Sequence, residues 1–308
     1  MTMRMRWALA ALSIVLVSAA ARAQTAALGE FSVSGDADHF DAFHLRTGML
    51  TGYASPFRYS GVAVQTTHYE QSGWHGDAPA VLFLWRNQKR DTLAGTIAEA
   101  GVVRFAGRTR VIGDATWSLR PNPSTGIELL AASGLVETQR ALESVTTHTF
   151  AGISAEKQFG ERFTVIGLAG HQRFSDGNDR THLRARAIWL LIPAQGISAQ
   201  LKWRRFQSSQ ADVGDAYFNP RHYREWQAAL VMRKHYAGWT WSGTVAGGRE
   251  AFDGASSRTT ALAEMRAEGT LGKRAHLIVN ASYNRSAGFG IARRYWYRAI
   301  GATVMVPF

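Results

Sequence analysis

Charged and polar residues recur at every second position through much of the C-terminal half. His182, Arg184 and Arg186 form one run, and Gln200, Lys202 and Arg204 form another. Glu225, Gln227 and Arg233 share a parity, as do Glu264, Arg266 and Glu268, and Glu250 closes a run of Thr240, Ser242 and Thr244. A spacing of two places every member of a run on one face of a β-strand. The chemistry this offers is recognition without bond making. A face of fixed charges around water can select an ion or a polar polymer. The same charges, paired with one another, can instead cross-link a closed wall.

Bond-making chemistry has a weaker claim. His39, His44, His171, His182, His222 and His235 are scattered, with no H-x-x-x-H or H-E-x-x-H pair. No G-x-S-x-G elbow occurs. Asp176, Asp179, Asp212 and Asp215 are split between two loops, and solvated loop acids are a better account of them than a Ca²⁺ site. No metal, cofactor or catalytic residue is expected. A surface Ser-His-acid set assembled from distant strands, as in a lipid-modifying enzyme, is kept as a third reading.

The elements that carry these runs are strands of about ten residues. Between the charged positions lie apolar ones: Leu183, Ala185, Ala187, Trp189 and Leu191; Leu201 and Trp203; Trp226, Ala228, Leu230 and Met232. Trp239, Trp241 and Val245, then Ala261, Ala263 and Met265, then Leu277, Val279, Ala281 and Tyr283 continue the pattern. Ten residues rise roughly 33 Å, and a tilt near 45° leaves a span of about 23 Å, the height of an outer-membrane apolar band. Turns from Thr147 onward alternate in length. KQFGER, PAQGI, HYAG and LGKR are short; Ser175–Arg180, Ser209–Tyr223, Ala251–Arg258 and Arg285–Ala292 are longer. Short periplasmic turns and long outer loops are the barrel arrangement.

The last strand agrees. Phe308, Val306, Val304, Ala302 and Ile300 alternate back from the terminus, which falls on the short-turn side. Arg298 shares their parity and would lie near the outer rim, where its stem can reach headgroups.

Residues 1–23 read as a cleaved export signal. Arg4 and Arg6 precede the apolar run Trp7–Val17, and Ala21-Arg22-Ala23 is an A-x-A cleavage pattern. The mature domain is expected to be 24–308, with no cysteine for a lipid anchor or disulfide. Ten Trp, fifteen Phe, nine Tyr and thirty Gly against seven Pro suit many short strands, and no later stretch could cross a bilayer as a helix. The slightly negative mean hydropathy is compatible with a barrel, whose polar inner face dilutes its apolar outer one. Net charge is +12, or +9 once Arg4, Arg6 and Arg22 are removed. In an exported chain that balance points away from nucleic acid and toward lipopolysaccharide or an anionic or polar solute.

The N-terminal half is less regular. Strands are predicted at Ala42–Thr51, Tyr59–Tyr69, Ala80–Trp85, Thr92–Ile97, Val102–Gly107, Val111–Leu119 and Thr125–Ala131. Residues 24 to about 40 read as a loosely defined lead-in, and Leu135–Glu143 as a loop helix. Seven strands and nine make sixteen, with fourteen or twelve as the alternatives. The fold class is all-β: a transmembrane antiparallel barrel in the outer membrane of a Gram-negative bacterium.

Seven short motifs occur in one order: V-E-T-x-x-A-L (Val136–Leu142), G-x-x-R-F-S-D-G-N (Gly170–Asn178), Y-F-N-P (Tyr217–Pro220), Gly238-Trp239 after a basic pair, G-x-x-E (Gly247–Glu250), Y-N-x-S-A-G-F (Tyr283–Phe289) and the terminal P-F. Over Thr125–Phe308 the set resembles the barrel domain of outer-membrane exopolysaccharide-export porins, which secrete cellulose or poly-N-acetylglucosamine. The resemblance implies a lumen that passes a growing polysaccharide, with Tyr217, Phe218, Asn219 and Pro220 in an exit loop. It also implies that Phe308 is the signal read by the barrel-assembly machinery. The loop motif has a plainer account too, as packing that folds the loop over the mouth. Those porins carry a tetratricopeptide scaffold before the barrel, and its 34-residue period is absent here. Either a separate periplasmic scaffold supplies that coupling, or the chain is a stand-alone barrel of unrelated use. A structural or adhesive barrel with an ion-paired, closed lumen is the second reading.

Overall fold

The computed structural model describes residues 25–210, 212–272, 274–286 and 295–308. The export-signal reading of residues 1–23 lies outside them. Sixteen strands follow in order: β1 (Thr25–Asp36), β2 (Asp41–Ser55), β3 (Arg58–Gln71), β4 (Trp74–Gln88), β5 (Gly95–Phe105), β6 (Arg108–Asn122), β7 (Thr125–Leu135), β8 (Thr147–Phe159), β9 (Phe163–Phe174), β10 (Asp179–Ile192), β11 (Ile197–Ser208), β12 (His222–Tyr236), β13 (Trp239–Phe252), β14 (Arg258–Leu271), β15 (Ala275–Arg285) and β16 (Trp296–Pro307). One short helix, α1 (Gln139–Glu143), sits between β7 and β8. Each strand pairs antiparallel with its sequence neighbours, and β1 pairs with β16 from Ala26↔Pro307 to Asp36↔Tyr297. The sheet is therefore a closed up-and-down barrel with no free edge. The start of β1 and the end of β16 meet at the end that carries the short turns of the C-terminal half, where Phe308 N–H donates to the Thr25 carbonyl.

The predicted count of sixteen is correct, although two boundary expectations fail in opposite directions. Thr92–Ile97 and Val102–Gly107 are one strand, β5, whose inward Gly101 sits against Leu82 and interrupts the apolar pattern. The lead-in contains β1, hidden because its apolar residues change face: Leu28 is buried inside, while Phe31 and Val33 are exposed outside.

From β7 onward the outer connections are as long as, or longer than, those at the other end, and before β7 the expected alternation fails. The outer turns between β3 and β4 and between β5 and β6 have two residues each, Ser72-Gly73 and Ala106-Gly107. The β4–β5 connection at the other end spans six. All four of those turn residues have positive φ, between 46° and 87°. That geometry matches the twist of the flanking strands, and glycine adopts it without Cβ strain.

The outer surface is an apolar belt. Val62, Val64, Val81, Phe83, Leu129, Ile153, Leu201, Leu230, Val245, Met265 and Ile300 all stand exposed on it. Aromatic rings gather near the terminus-bearing end, where Phe163 lies 6.1 Å from Phe159 and 6.3 Å from Trp189, and Trp239 lies 6.1 Å from Trp241. Such a belt with an aromatic girdle is built to face hydrocarbon and headgroups. Arg298 faces outward as expected, stacked 5.1 Å from the Trp296 ring. Val245→Arg, at mid-belt, is expected to cost about 2–4 kcal/mol of folding free energy in lipid, measurable by equilibrium refolding into vesicles.

Inside, the two halves differ. Between β16 and β6 much of the inner face packs as one buried apolar cluster, formed by Ala26, Leu28, Leu50, Tyr53, Ala63, Leu82, Leu84 and Met305 and joined by Ile112 and Ile278, with Arg46, Gln65 and Glu99 as its polar neighbours. A second cluster above it includes Tyr69, Val103, Phe105 and the α1-loop residues Leu142 and Val145. The β7–β15 wall is more polar and lines a cavity of about 510 Å³, and a second cavity of about 430 Å³ lies against Gln65 of β3, Glu99 of β5 and Asp114 of β6.

Candidate functional site

Every lumen-lining residue named from the sequence lies on an inward-facing position, but they fall into three groups. Arg184 and Arg186 on β10, Lys202 and Arg204 on β11, Glu225 on β12 and Glu264 on β14 share one cavity of about 510 Å³. Ile166 and Leu168 of β9 supply an apolar patch beside the charges, and Glu128 of β7 also lines it. Glu250 lies toward the outer end, almost fully buried. It accepts from Tyr223 Oη at 2.8 Å and from Ser286 Oγ at 2.7 Å. Arg266 and Glu268 sit near the opposite end, paired at 2.9 Å, with His276 3.2 Å from Glu268. Arg233 is exposed at that rim, away from the cavity, with no ion pair among the described residues.

Strand register sets the electrostatics of the cavity. Arg184 lies directly opposite Arg204, and Arg186 directly opposite Lys202. Directly opposed like charges are unfavourable in a sheet. Arg204 is relieved by Glu225, an ion pair of 2.5 Å, and donates to Tyr223 Oη at 2.7 Å. Among the described residues, no side-chain hydrogen bond or ion pair within 4 Å falls to Arg184, Arg186 or Lys202.

Other inward charges pair along the wall. Arg46 donates to Glu99 at 2.9 Å and to Gln65 at 2.8 Å, linking β2, β3 and β5. Arg120 donates to Glu156 at 2.6 Å, from β6 to β8. These bonds join strands no more than three places apart, so they stiffen the wall and do not cross the lumen. The sequence reading missed this set. Its signal was present in His44-x-Arg46, polar at period two with Phe43 and Leu45 outside.

The barrel mouth is where several motifs meet. The β11–β12 loop (209–221) leans over toward the α1 loop. Tyr217 stacks on Phe174, with ring centres 4.5 Å apart, and packs with Val136, Ala141, Val213 and Ala216. Thr138 caps α1 and also donates to the Ala216 carbonyl, while Arg140 donates to Gly214 O at 3.1 Å. Asn178 is fully buried, and its side chain is fully used. Nδ2 donates to Tyr217 Oη at 3.1 Å and Asn219 Oδ1 at 2.9 Å; Oδ1 accepts from Ser209 Oγ at 3.2 Å and Gln210 N at 3.1 Å. Tyr217 Oη donates to Asp176 at 2.7 Å. Burial first, and then that carboxylate, push the Tyr217 hydroxyl above its ordinary value, so it keeps its proton as a donor.

Arg180 completes the latch. Its Nη2 donates to Phe218 O at 2.8 Å and Asn219 Oδ1 at 3.0 Å, and its Nε to Ser208 Oγ at 3.2 Å. The guanidinium lies 4.5 Å from the Phe206 ring centre, 5.1 Å from Phe174 and 5.9 Å from Tyr217. Phe218 meets Phe206, Tyr223 and Phe252 edge to face. Tyr217, Phe218, Asn219 and Pro220 thus anchor the loop over the mouth, the packing account of that motif. Ala287–Phe289, the end of the Y-N-x-S-A-G-F motif, lie outside the described residues. The loop acids Asp176 and Asp212 cap turns, accepting from Asn178 N and Gly214 N. Among the described residues, no three acids, histidines or cysteines group as metal ligands do.

No protein-family profile matches the chain, and no curated protein matches its sequence. Solved structures match its fold. A bacterial polysaccharide outer-membrane secretin aligns with a TM-score of 0.69 at 11% identity, over 94% of this chain and 99% of that one. CdiB from Acinetobacter baumannii aligns with a TM-score of 0.50 at 9% identity, over 92% of this chain and 60% of that one. At such identities the likeness is one of fold, and it places the chain's architecture beside outer-membrane barrels.

Proposed function

We propose that the protein is an outer-membrane, porin-like barrel that exports a polysaccharide or serves as the accessory barrel of an export system. The observation that carries this reading is the division of the lumen. One part of the wall carries a packed apolar cluster, while on the β10–β11 face, among the described residues, Arg184, Arg186 and Lys202 have no ion pair and border a cavity of about 510 Å³. A barrel built only as a wall would pair those charges or replace them with apolar residues. Sixteen strands are enough for an aqueous passage. The fold likeness to a polysaccharide secretin over almost the full length of both chains supports the same reading. In it, sugar rings slide along the lumen without bond chemistry, lipopolysaccharide surrounds the outer rim, and a separate periplasmic scaffold delivers the chain. Phe308, next to the end of β16, is offered to the assembly machinery.

Reconstitution of the refolded barrel in a planar bilayer tests this. Discrete single-channel conductance, reduced by a soluble oligosaccharide, is the expected result. A barrel shown to be folded by its heat-modifiable gel shift, yet electrically silent both intact and with residues 212–216 removed, would overturn it.

A further inference from the structure

We infer that the opposed cations of β10 and β11 form a subsite for an anionic sugar, one whose carboxylate, sulfate or phosphate ester lies between Arg184, Arg186 and Lys202. This rests on the export reading and names the substrate class it leaves open. Among the described residues, the inner wall pairs Arg46, Arg120, Arg204 and Arg266 with carboxylates, yet three adjacent cations of one patch have no ion pair within 4 Å. The register puts those cations in two like-charge cross-strand pairs, Arg184↔Arg204 and Arg186↔Lys202. An anion between them removes the repulsion, and planar guanidinium groups match a carboxylate or an oxyanion bidentately.

Three carboxylates line the same cavity, and they do not reverse its sign. Glu225 is held by Arg204, Glu128 accepts from Ser118 at 3.1 Å, and Glu264 remains as the counter-charge on β14. Ile166 and Leu168 offer the C–H face of a sugar ring an apolar bed. A cavity of about 510 Å³ has the size of ordinary small-ligand pockets, large enough for one or two sugar units.

The test uses the full mature barrel and three probes: hexagalacturonate, maltohexaose and hexameric chitosan. Titration calorimetry in detergent is run beside channel block in bilayers. Hexagalacturonate is expected to bind at least tenfold more tightly than the other two, with an affinity that falls as salt rises. The R184Q/K202Q double variant is expected to lose at least tenfold of that affinity, while Arg184→Lys retains most of it. Anion preference in the reversal potential should fall in the double variant. Equal binding of maltohexaose, or unchanged hexagalacturonate binding in a folded double variant, overturns the subsite and leaves the channel reading standing. Saturation by sodium sulfate with no further affinity for hexagalacturonate also overturns it, since the site would then serve a free small anion. If the barrel conducts nothing, both intact and with residues 212–216 removed, the channel reading fails, and calorimetry still decides the subsite in either direction.

Discussion

Arg180→Ala is expected to unlatch the 209–221 loop and raise single-channel conductance at least twofold. The side chain makes three hydrogen bonds to β11 and the loop, and its guanidinium lies against three rings. Charge-assisted hydrogen bonds contribute about 1.5–3 kcal/mol each, and a partly solvated cation–π contact about 0.5–1 kcal/mol. Several of these contacts can be recovered through water at the rim. A net loss of about 3 kcal/mol is therefore a fair expectation, and it shifts the closed-to-open ratio by about a hundredfold. Limited proteolysis gives an independent readout, because loop cleavage should accelerate while the strands stay protected. Arg180→Lys keeps the charge and loses the fork, so an intermediate rate is expected. Unchanged cleavage and unchanged conductance in a folded Arg180→Ala barrel would mean that the loop is held from elsewhere, through Asn178 and Tyr217 alone.

Leu50→Asp is expected to abolish folding, with a cost above about 4 kcal/mol. Leu50 has no solvent exposure and lies on the inner face among Ala26, Leu82, Leu84 and Met305. Gly61 faces it across the β2–β3 ladder, and a side chain there would collide with the β2 backbone. A carboxylate at this position would have to stay charged without a partner or take up a proton, and either is costly. Loss of the heat-modifiable gel shift and of refolding yield would show it. Leu50→Met, close in volume, should cost less than about 1.5 kcal/mol. A well-folded Leu50→Asp barrel would show that water reaches the β16–β6 half of the lumen and that its packing is not a structural core.

Much of the barrel was legible before any coordinates, for a local reason. Side-chain direction alternates with period two, so Trp226 and Glu225 must face opposite ways whatever else the chain does. From β8 onward one face is lipid-apolar and the other water-polar, and the contrast is easy to see. In β1 to β6 stretches of the inner face are apolar too, because they pack on one another around Leu50 and Leu82. That loss of contrast hid β1 and split β5. The two-residue turns Ser72-Gly73 and Ala106-Gly107 were equally quiet, being too short to look like loops.

The motifs behave in the same way. Val136–Leu142, Gly170–Asn178 and Tyr217–Pro220 are each short and unremarkable along the chain. They gain their meaning where Asn178, Tyr217 and Asn219 meet across 39 and 41 residues of sequence. Burial of a side-chain amide with all its hydrogen bonds met explains why those residue types stand there.

What the sequence by itself determined was the closed antiparallel barrel, the identity of the inward charges in the C-terminal half and the position of Phe308 at the barrel's end. All of these follow from alternation and turn spacing. Only the tertiary structure decided which charges are neutralised. Arg46 finds Glu99 from 53 residues away, and Arg204 takes Glu225 while Arg184, directly opposite it, takes none. Pairing depends on register between strands, and register is set by closure of the whole sheet, so no single stretch of the chain contains it.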